Sequence, residues 1–229
     1  MTPELSVVQQ ATQKLFRESL YRTAKYLCGY KEINERTHGK MIQILESEGT
    51  QKLIVMPRGT FKTSLACVAY PIWLMIRNPN IRILLDSETW TLSSLSLREI
   101  KAHVKSEAFL SVFPNWKITL DNVSQMTISA RTIPKKEPTI TSSGIGAGKT
   151  GQHFDVVIAD DLNSPINSLK PELAEQVVSH YRYYTSLLDP GGTKVVIGTR
   201  YSEHDLIGFI LRNEVNDAVP EPSEHKAMA

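Results

Sequence analysis

Residues 52–64, KLIVMPRGTFKTS, decide the fold, because a run of apolar residues here leads into a loop that ends in Lys62 and Thr63. The apolar run is rich in β-branched side chains and is bounded by Pro57, which predicts a short buried strand. The pattern from about 62 to 76 predicts a helix. A strand, a loop and a helix N-terminus that carry a lysine and a hydroxyl are the parts that hold a nucleoside triphosphate and its Mg²⁺.

The phosphate-loop pattern in this stretch is incomplete. The consensus GxxxxGK[ST] has glycine at the places of Pro57 and Phe61. Taken alone, the stretch fits a nucleotide-binding loop and an ordinary strand-to-helix turn about equally well. The remaining motifs have to decide between the two.

A second stretch, GIGAGKT at 144–150, competes with the first for the role of phosphate loop. Its surroundings argue against it, because we expect neither a buried strand before it nor a helix after it. We interpret it as a mobile glycine-rich loop that presents Lys149 to a nucleotide or to a neighbouring subunit. A plain flexible connector is an equally good interpretation.

An apolar strand ending in two carboxylates follows at 156–161, VVIADD. In P-loop ATPases, the first acid of such a pair supports the Mg²⁺ shell and the second orients and activates water. Asp160 and Asp161 fit these roles, and the phosphate loop upstream favours them over two merely solvated acids. Asp161 is one methylene shorter than the glutamate that usually stands there.

A third strand carries polar residues at its end, in VVIGTRYSEHDL at 195–206. Thr199 is placed to sense the terminal phosphate and to pass the change on to the following helix. Arg200 could stabilise developing negative charge, although an arginine at a strand end is more often part of a surface ion pair.

Strands alternate with helices along the chain, which predicts an α/β fold with a mainly parallel central sheet flanked by helices. Segment 116–141 instead shows short alternating stretches, which we interpret as a small antiparallel ribbon inserted into that core. The expected helices are 4–30, 38–48, 62–76, 94–105, 171–187 and 204–212, and the expected core strands are 52–56, 81–86, 155–159 and 194–197.

Composition narrows the class of protein. The 229 residues are 41% hydrophobic and 22% charged, as in a folded domain, and the net charge of +2 excludes an overall basic field. Cys28 and Cys67 match no metal or redox spacing, so we expect buried thiols, and the histidines show no zinc spacing. The apolar stretch 66–76 is too short for a membrane span and no signal peptide is evident, so we expect a soluble intracellular protein.

Taken in order, PRGTFKT, GIGAGKTGQHFDVVIADD and VVIGTRYSEHDL resemble the large terminase subunit of tailed phages. The resemblance covers roughly 35–212. It implies a P-loop ATPase of the ASCE class, in which an added strand lies between the nucleotide strand and the acidic strand. It also implies a ring, usually of five subunits, that sits on the portal of an empty capsid and drives double-stranded DNA inward.

The resemblance also implies a role for individual residues. Its nucleotide-binding set is Arg58, Gly59, Thr60, Phe61, Lys62, Thr63, Ser64 and, near His38 on the preceding helix, Gln43. Its metal set is Thr63 and Asp160, its catalytic set is Asp161, Lys62, Arg58 and Thr199, and its coupling set is Gly198, Thr199 and Arg200. For a cation supplied to a neighbouring site the candidates are Lys149, Arg131 and Arg182, with Arg58 acting in cis as the alternative.

The expected domain plan has three parts: an N-terminal helical segment at 1–50 that packs on the core, an ATPase core at 51–215 and a flexible tail at 216–229. The C-terminal nuclease that such subunits usually carry is not expected within this chain. By resemblance, the cofactors are ATP and Mg²⁺, and the partners are double-stranded DNA, the portal protein, the small terminase subunit and further copies of the chain. A monomer in solution is the alternative to a preformed ring. The expected location is the host cytoplasm and, transiently, the procapsid portal.

Two other functions stay open at this point. One is a different nucleic-acid-dependent P-loop ATPase, such as a helicase-like motor. The other is a catalytically silent module that docks to the portal or to the small subunit. Phe61 and Asp161 favour the silent module, whereas Lys62, Thr63 and Asp160 argue against it.

Overall fold

A computed structural model describes residues 5–214, and the predicted flexible tail lies outside that range. The helices are α1 (Val7–Glu18), α2 (Leu20–Arg22) with a π-helical turn (Thr23–Leu27), α3 (Glu35–Glu46), a π-helical segment (Ser64–Ala69) that continues into α4 (Tyr70–Arg77), α5 (Trp90–Lys105), α6 (Glu107–Val112), α7 (Pro165–Leu169), α8 (Pro171–Leu187) and α9 (Leu206–Asn213). The strands are β1 (Gln51–Val55), β2 (Ile83–Ser87), β3 (Ile118–Asn122), β4 (Gln125–Ile128), β5 (Ile140–Gly144), β6 (Phe154–Asp160) and β7 (Leu188–Gly198).

Within the described residues, the strands form one sheet of seven in the order β1-β7-β6-β2-β5-β4-β3. The first five are parallel, and β4 and β3 are antiparallel. Strand β7 lies between β1, which leads into the predicted phosphate loop at 56–63, and β6, which carries the acidic pair. This order confirms the predicted α/β fold of the ASCE class and brings the ends of β1, β7 and β6 to one edge of the sheet.

Strands β3 and β4 form the predicted antiparallel ribbon, whereas β5, which begins within the same segment 116–141, belongs to the parallel core of the sheet. Strand β5 pairs in parallel with β2 and antiparallel with β4, so β4 and β3 continue the sheet beyond β5. Every residue of β5 is buried. Its sequence, ITSSG, hides this position because three of its five residues are small and polar.

The N-terminal region also departs from the predicted single helix. The helix breaks at Ser19, whose backbone is extended and whose side chain accepts a hydrogen bond from the Arg22 N–H. Helix α5 begins four residues earlier than predicted because Thr89 caps it, and the short helix α6 was not predicted.

Two apolar clusters fill the two faces of the sheet. The larger one joins the N-terminal helices, the π-helical segment, α4 and α5 to one face, and the smaller one joins α8 and α9 to the other. Cys28 and Cys67 are buried free thiols, as predicted, and Tyr181 and Tyr184 lie in the smaller cluster. None of the helices within 5–214 is long and apolar enough to cross a membrane.

Candidate nucleotide-binding site

The phosphate loop joins β1 to the π-helical segment and turns through two left-handed residues. Gly59 has φ 78° and Phe61 has φ 54°, so a phenylalanine adopts the conformation for which the consensus uses glycine. The loop folds with this substitution, and the Phe61 ring is 40% exposed. The Thr60 hydroxyl donates to the Pro57 carbonyl across the turn at 2.8 Å, and Ser64 begins the helix that follows.

Lys62 lies at the centre of the site, and only 5% of it is exposed. Its Nζ is 3.3 Å from Asp161 Oδ2 and 3.3 Å from Thr199 Oγ1. The lysine of the phosphate loop therefore contacts both the acidic pair and the segment after β7. The sheet order produces this convergence, because β7 and β6 are successive neighbours of β1.

Thr63 and Asp160 form the second contact between the loop and the acidic pair. The Thr63 hydroxyl donates to Asp160 Oδ2 at 2.9 Å. Burial, reinforced by the adjacent Asp161 carboxylate, raises the pKa of Asp160 to about 6. Asp160 also contacts the buried Cys67 thiol, whose own pKa is raised by burial and then by Asp160.

The acidic pair carries two buried oxygens that suit a cation. Among the described residues, Asp160 Oδ1 and Asp161 Oδ1 are buried without a hydrogen-bond partner. A buried carboxylate oxygen without a donor is costly unless a cation or water completes it. A hydroxyl and one carboxylate are also the usual extent of protein ligation to a nucleotide-bound Mg²⁺, which keeps waters and phosphate oxygens as its other ligands. The residues present therefore fit Mg²⁺ with a nucleotide.

The segment after β7 contacts the phosphate loop at several points. The Met56 N–H donates to the Gly198 carbonyl at 3.2 Å, and the Thr199 hydroxyl donates to the Met56 carbonyl at 3.3 Å. A side chain at Gly198 would meet Ile207 at 3.4 Å and Asp161 at 3.6 Å. Both are van der Waals distances, so Gly198 lies between the start of α9 and the acidic pair.

Arg58 and Tyr201 form a further contact between the two segments. Arg58 Nη2 donates to the Tyr201 hydroxyl at 2.6 Å, and its guanidinium carbon is 5.7 Å from the ring centroid. Arg58 is exposed at the mouth of the loop, and Arg200, the third residue of the predicted coupling set, is exposed beside Tyr201.

Helix α3 reaches the phosphate loop through His38 and not through Gln43. His38 is 2% exposed, and its Nε2 lies 3.0 Å from the Thr60 carbonyl. Gln43 is exposed and, at five residues along a helix of 3.6 residues per turn, points roughly 140° away from His38. Gln43 therefore does not contact the loop itself, and its expected contact with the adenine of a nucleotide stays a prediction.

The glycine-rich loop differs from its interpretation in two respects. A buried strand, β5, does lead into it, although no helix follows. Lys149 is 3% exposed and its Nζ lies 3.0 Å from Asp86 Oδ2, so the side chain points into the protein rather than towards a neighbour. The His180 ring at 2.8 Å and the Tyr184 hydroxyl at 3.0 Å complete the same Asp86 oxygen.

The other two candidates for a trans-acting cation lie away from the phosphate loop. Arg131 donates to the carbonyls of Ile81 and Glu137 at the amino ends of β2 and β5, which is the opposite edge of the sheet from Lys62. Arg182 lies on α8 with its guanidinium 4.8 Å from the Phe209 ring centroid. A role for Arg131 or Arg182 towards a neighbouring subunit stays a prediction.

Sequence reasoning missed two residues that shape the site. Asp205 is fully buried and accepts hydrogen bonds from the backbone N–H groups of Tyr201, Ser202 and Gly208, so it fixes the segment after β7 to the start of α9. An aspartate before an apolar helical run is a cap signal that could have found it. His38 gave no such signal, because its contact with Thr60 spans 22 positions.

The sheet order and the convergence of these side chains define a P-loop NTPase fold of the ASCE class. In comparisons with known proteins, no family model matches the chain. Over 169 residues, 72% of this chain and 28% of the relative, the chain is 28% identical to the terminase large subunit of Enterobacteria phage T3.

Two solved structures are similar to the chain, and the first of them shares its fold. The crystal structure of the HK97 bacteriophage large terminase matches 86% of this chain and 40% of its own, with a TM-score of 0.58 and 11% identity. The ATPase domain of a Thermus phage large terminase matches 78% of this chain and 69% of its own, with a TM-score of 0.48 and 16% identity. The chain thus resembles the large terminase subunit of tailed phages, and it spans 28% of the length of the curated relative.

Proposed function

We propose that this chain is the ATP-hydrolysing motor domain of a phage large terminase subunit, which translocates double-stranded DNA into a procapsid. The observation that carries the proposal is the buried Lys62 held between Asp161 and Thr199, next to the Thr63–Asp160 pair. ATP with Mg²⁺ is the cofactor. The portal protein, the small terminase subunit and a ring of further copies are the partners, in the host cytoplasm and transiently on the procapsid.

The residues of the site divide the labour of hydrolysis. Bound Mg²⁺ would neutralise phosphate charge, with Thr63 and Asp160 as its protein ligands. Lys62 pairs with Asp161 and would hold the phosphate oxygens of a bound nucleotide, which would free the Asp161 carboxylate. The released Asp161 carboxylate, whose Oδ1 has no partner, orients water and accepts its proton.

The segment after β7 connects hydrolysis to movement. Thr199 contacts Lys62 directly, so a change in the position of Lys62 reaches Thr199 first. Gly198 and Arg200 precede and follow it in the chain, and Asp205 joins the Tyr201 backbone to α9. Loss of the terminal phosphate would therefore shift α9 relative to the sheet, as in other switches driven by phosphate release.

ATPase turnover in Mg²⁺ tests the proposal against the two alternatives. We expect native turnover to rise more than linearly with protein concentration, because ring neighbours complete each site, and to rise further with DNA and procapsids. Lys62→Ala and Asp161→Asn should each abolish turnover, whereas Lys40→Ala, at an exposed lysine on α3, should leave it unchanged.

The other outcomes separate the alternatives. Turnover that depends on Lys62 and on single-stranded nucleic acid, but is indifferent to procapsids, would favour a helicase-like motor. Binding to the portal without any Lys62-dependent nucleotide binding would favour the silent docking module.

A further inference from the structure

The pair formed by Arg58 and Tyr201 joins two segments that are 143 positions apart in the chain. The hydrogen bond is 2.6 Å long, and the guanidinium also faces the phenol ring at 5.7 Å. A tyrosine can hold an arginine in both ways at once, because the hydroxyl accepts an N–H bond and the ring attracts the cation. Such a contact restricts a side chain that would otherwise be free at the surface.

The backbone of Tyr201 is itself held by Asp205 at the start of α9. It is half-buried, and its backbone N–H donates to Asp205 Oδ2 at 2.8 Å. Asp205 is fully buried, and its other oxygen accepts a hydrogen bond from the Gly208 N–H in the first turn of α9. The backbone from which the phenol extends is therefore fixed by a buried carboxylate.

We infer that Tyr201 is a positioning residue for Arg58, which it orients at the mouth of the phosphate loop before nucleotide binds. This inference rests on the proposed function, since it assigns Arg58 to the phosphates. Tyr201 touches neither nucleotide nor water in this role, and it acts through Arg58 alone. The same contact gives α9 a second connection to the phosphate loop, in addition to the Lys62–Thr199 contact.

The expected size of the effect follows from side-chain ordering. Immobilising one long side chain on binding lowers affinity by roughly three- to tenfold relative to a side chain that is already ordered. Tyr201→Phe removes the hydroxyl and keeps the ring, and Tyr201→Ala removes both. We therefore expect kcat/KM for Mg·ATP to fall about threefold in Tyr201→Phe and up to about tenfold in Tyr201→Ala.

A double-mutant cycle tests whether Tyr201 acts through Arg58. ATP affinity and kcat/KM are measured for native protein, Tyr201→Phe, Arg58→Ala and the double variant, with thermal unfolding recorded for each. We expect Tyr201→Phe to lower kcat/KM about threefold in the native background and to lower it no further in the Arg58→Ala background. Tyr26→Phe, at a tyrosine that is 65% exposed on the π-helical turn after α2, is the matched control.

The outcomes separate this inference from the proposed function. Equal losses for Tyr201→Phe in both backgrounds, or no loss in either, would overturn the positioning role while Lys62-dependent hydrolysis stands. Loss in both backgrounds with a matching fall in melting temperature would mean that Tyr201 supports the fold only. Absence of Lys62-dependent nucleotide binding in the native chain would overturn the proposed function and the positioning role together.

Discussion

At the scale of single residues, Phe61 shows how this phosphate loop departs from the consensus. Its φ of 54° is a left-handed conformation that costs a non-glycine residue roughly 1–2 kcal/mol. The loop tolerates this because Lys62 and Thr63 are held by contacts with Thr199, Asp161 and Asp160 on the neighbouring strands. The conformation is thus imposed by tertiary contacts rather than chosen by the residue.

Glycine at this position should relieve the strain. We predict that Phe61→Gly is more stable than Phe61→Ala by about 1 kcal/mol, since both lose the ring and only alanine keeps the left-handed penalty. Urea denaturation measures the difference. At Thr60, which is not left-handed, the order should reverse, and an alanine as stable as glycine at 61 would contradict the prediction.

Asp160 makes stability depend on pH in the metal-free protein. Its pKa is raised from the ordinary 3.8 to about 6 in the folded state. Between these values the folded chain holds a proton that the unfolded chain has released, so the free energy of unfolding falls as pH rises from about 4 to 6. The loss should be on the order of 3 kcal/mol.

Denaturation in EDTA at several pH values checks this prediction. Asp160→Asn cannot titrate at this position, so its free energy of unfolding should not show this decline. The difference in free energy of unfolding between the two proteins should therefore change between about pH 4 and 6 and become constant above that range. Curves that run parallel from pH 4 to 7 would show that Asp160 ionises normally.

At the scale of elements, the glycine-rich loop is anchored by a buried ion pair. Lys149 and Asp86 are both at most 3% exposed, and the pair ties the loop after β5 to β2 and, through His180, to α8. Asp86 lies beside Ala159 in the sheet, one residue before the acidic pair. The anchor thus keeps the loop and the acidic strand in a fixed relation.

Removing the lysine should be far more costly than its place in a glycine-rich loop suggests. We predict that Lys149→Met lowers the free energy of unfolding by about 3–5 kcal/mol, because Asp86 is left buried without its cation. Lys136→Met is the matched control. Lys136 is exposed and, within 5–214, donates to the Gly151 carbonyl alone, so its loss should cost less than about 1 kcal/mol.

Denaturation measures both variants. Hydrogen exchange should show faster exchange at 144–151 in the folded Lys149→Met protein. If the two variants lost equal stability, Lys149 would not be the anchor of the loop.

At the scale of the whole molecule, the carboxyl and amino ends of the parallel strands carry different groups of residues. The carboxyl ends carry the phosphate loop, the acidic pair and Thr199. The amino ends carry a network around Arg82, which is 5% exposed and bonds Asp155 at 2.8 Å, Asp189, and Glu137 at 3.5 Å. This network joins the start of β2 to β6 and to the start of β7, so we expect it to stabilise the fold rather than to bind nucleotide.

A variant at the amino edge should therefore separate stability from nucleotide binding. We predict that Arg82→Met lowers the free energy of unfolding by about 3–5 kcal/mol and leaves the Kd for Mg·ATP of the folded protein unchanged. Arg82→Lys should recover part of the stability, because it keeps the charge and loses the forked hydrogen bonds. A weakened Kd in fully folded Arg82→Met protein would show that the two edges are coupled.

The sequence by itself determined the parts that depend on local pattern. Runs such as KLIVM and VVIADD predict buried strands. Because the carboxyl ends of parallel strands meet at one edge of the sheet, the polar residues after these strands are expected to lie together. They are Lys62, Thr63, Asp160, Asp161 and Thr199. Caps and helix periods placed most helices to within a few residues. These signals are short-range, so they are visible in the chain alone.

The tertiary structure alone decided what depends on distant pairing. Strand β5 joins the central sheet although its sequence is polar, because β2 and β4 supply its backbone hydrogen bonds from both sides. Lys149 points inward because Asp86, 63 positions away, offers it a buried carboxylate. His38 reaches the phosphate loop, and Gln43 does not, because the packing of α3 selects one face of that helix. No local pattern encodes such contacts, since their energy comes from groups that only the folded chain brings together.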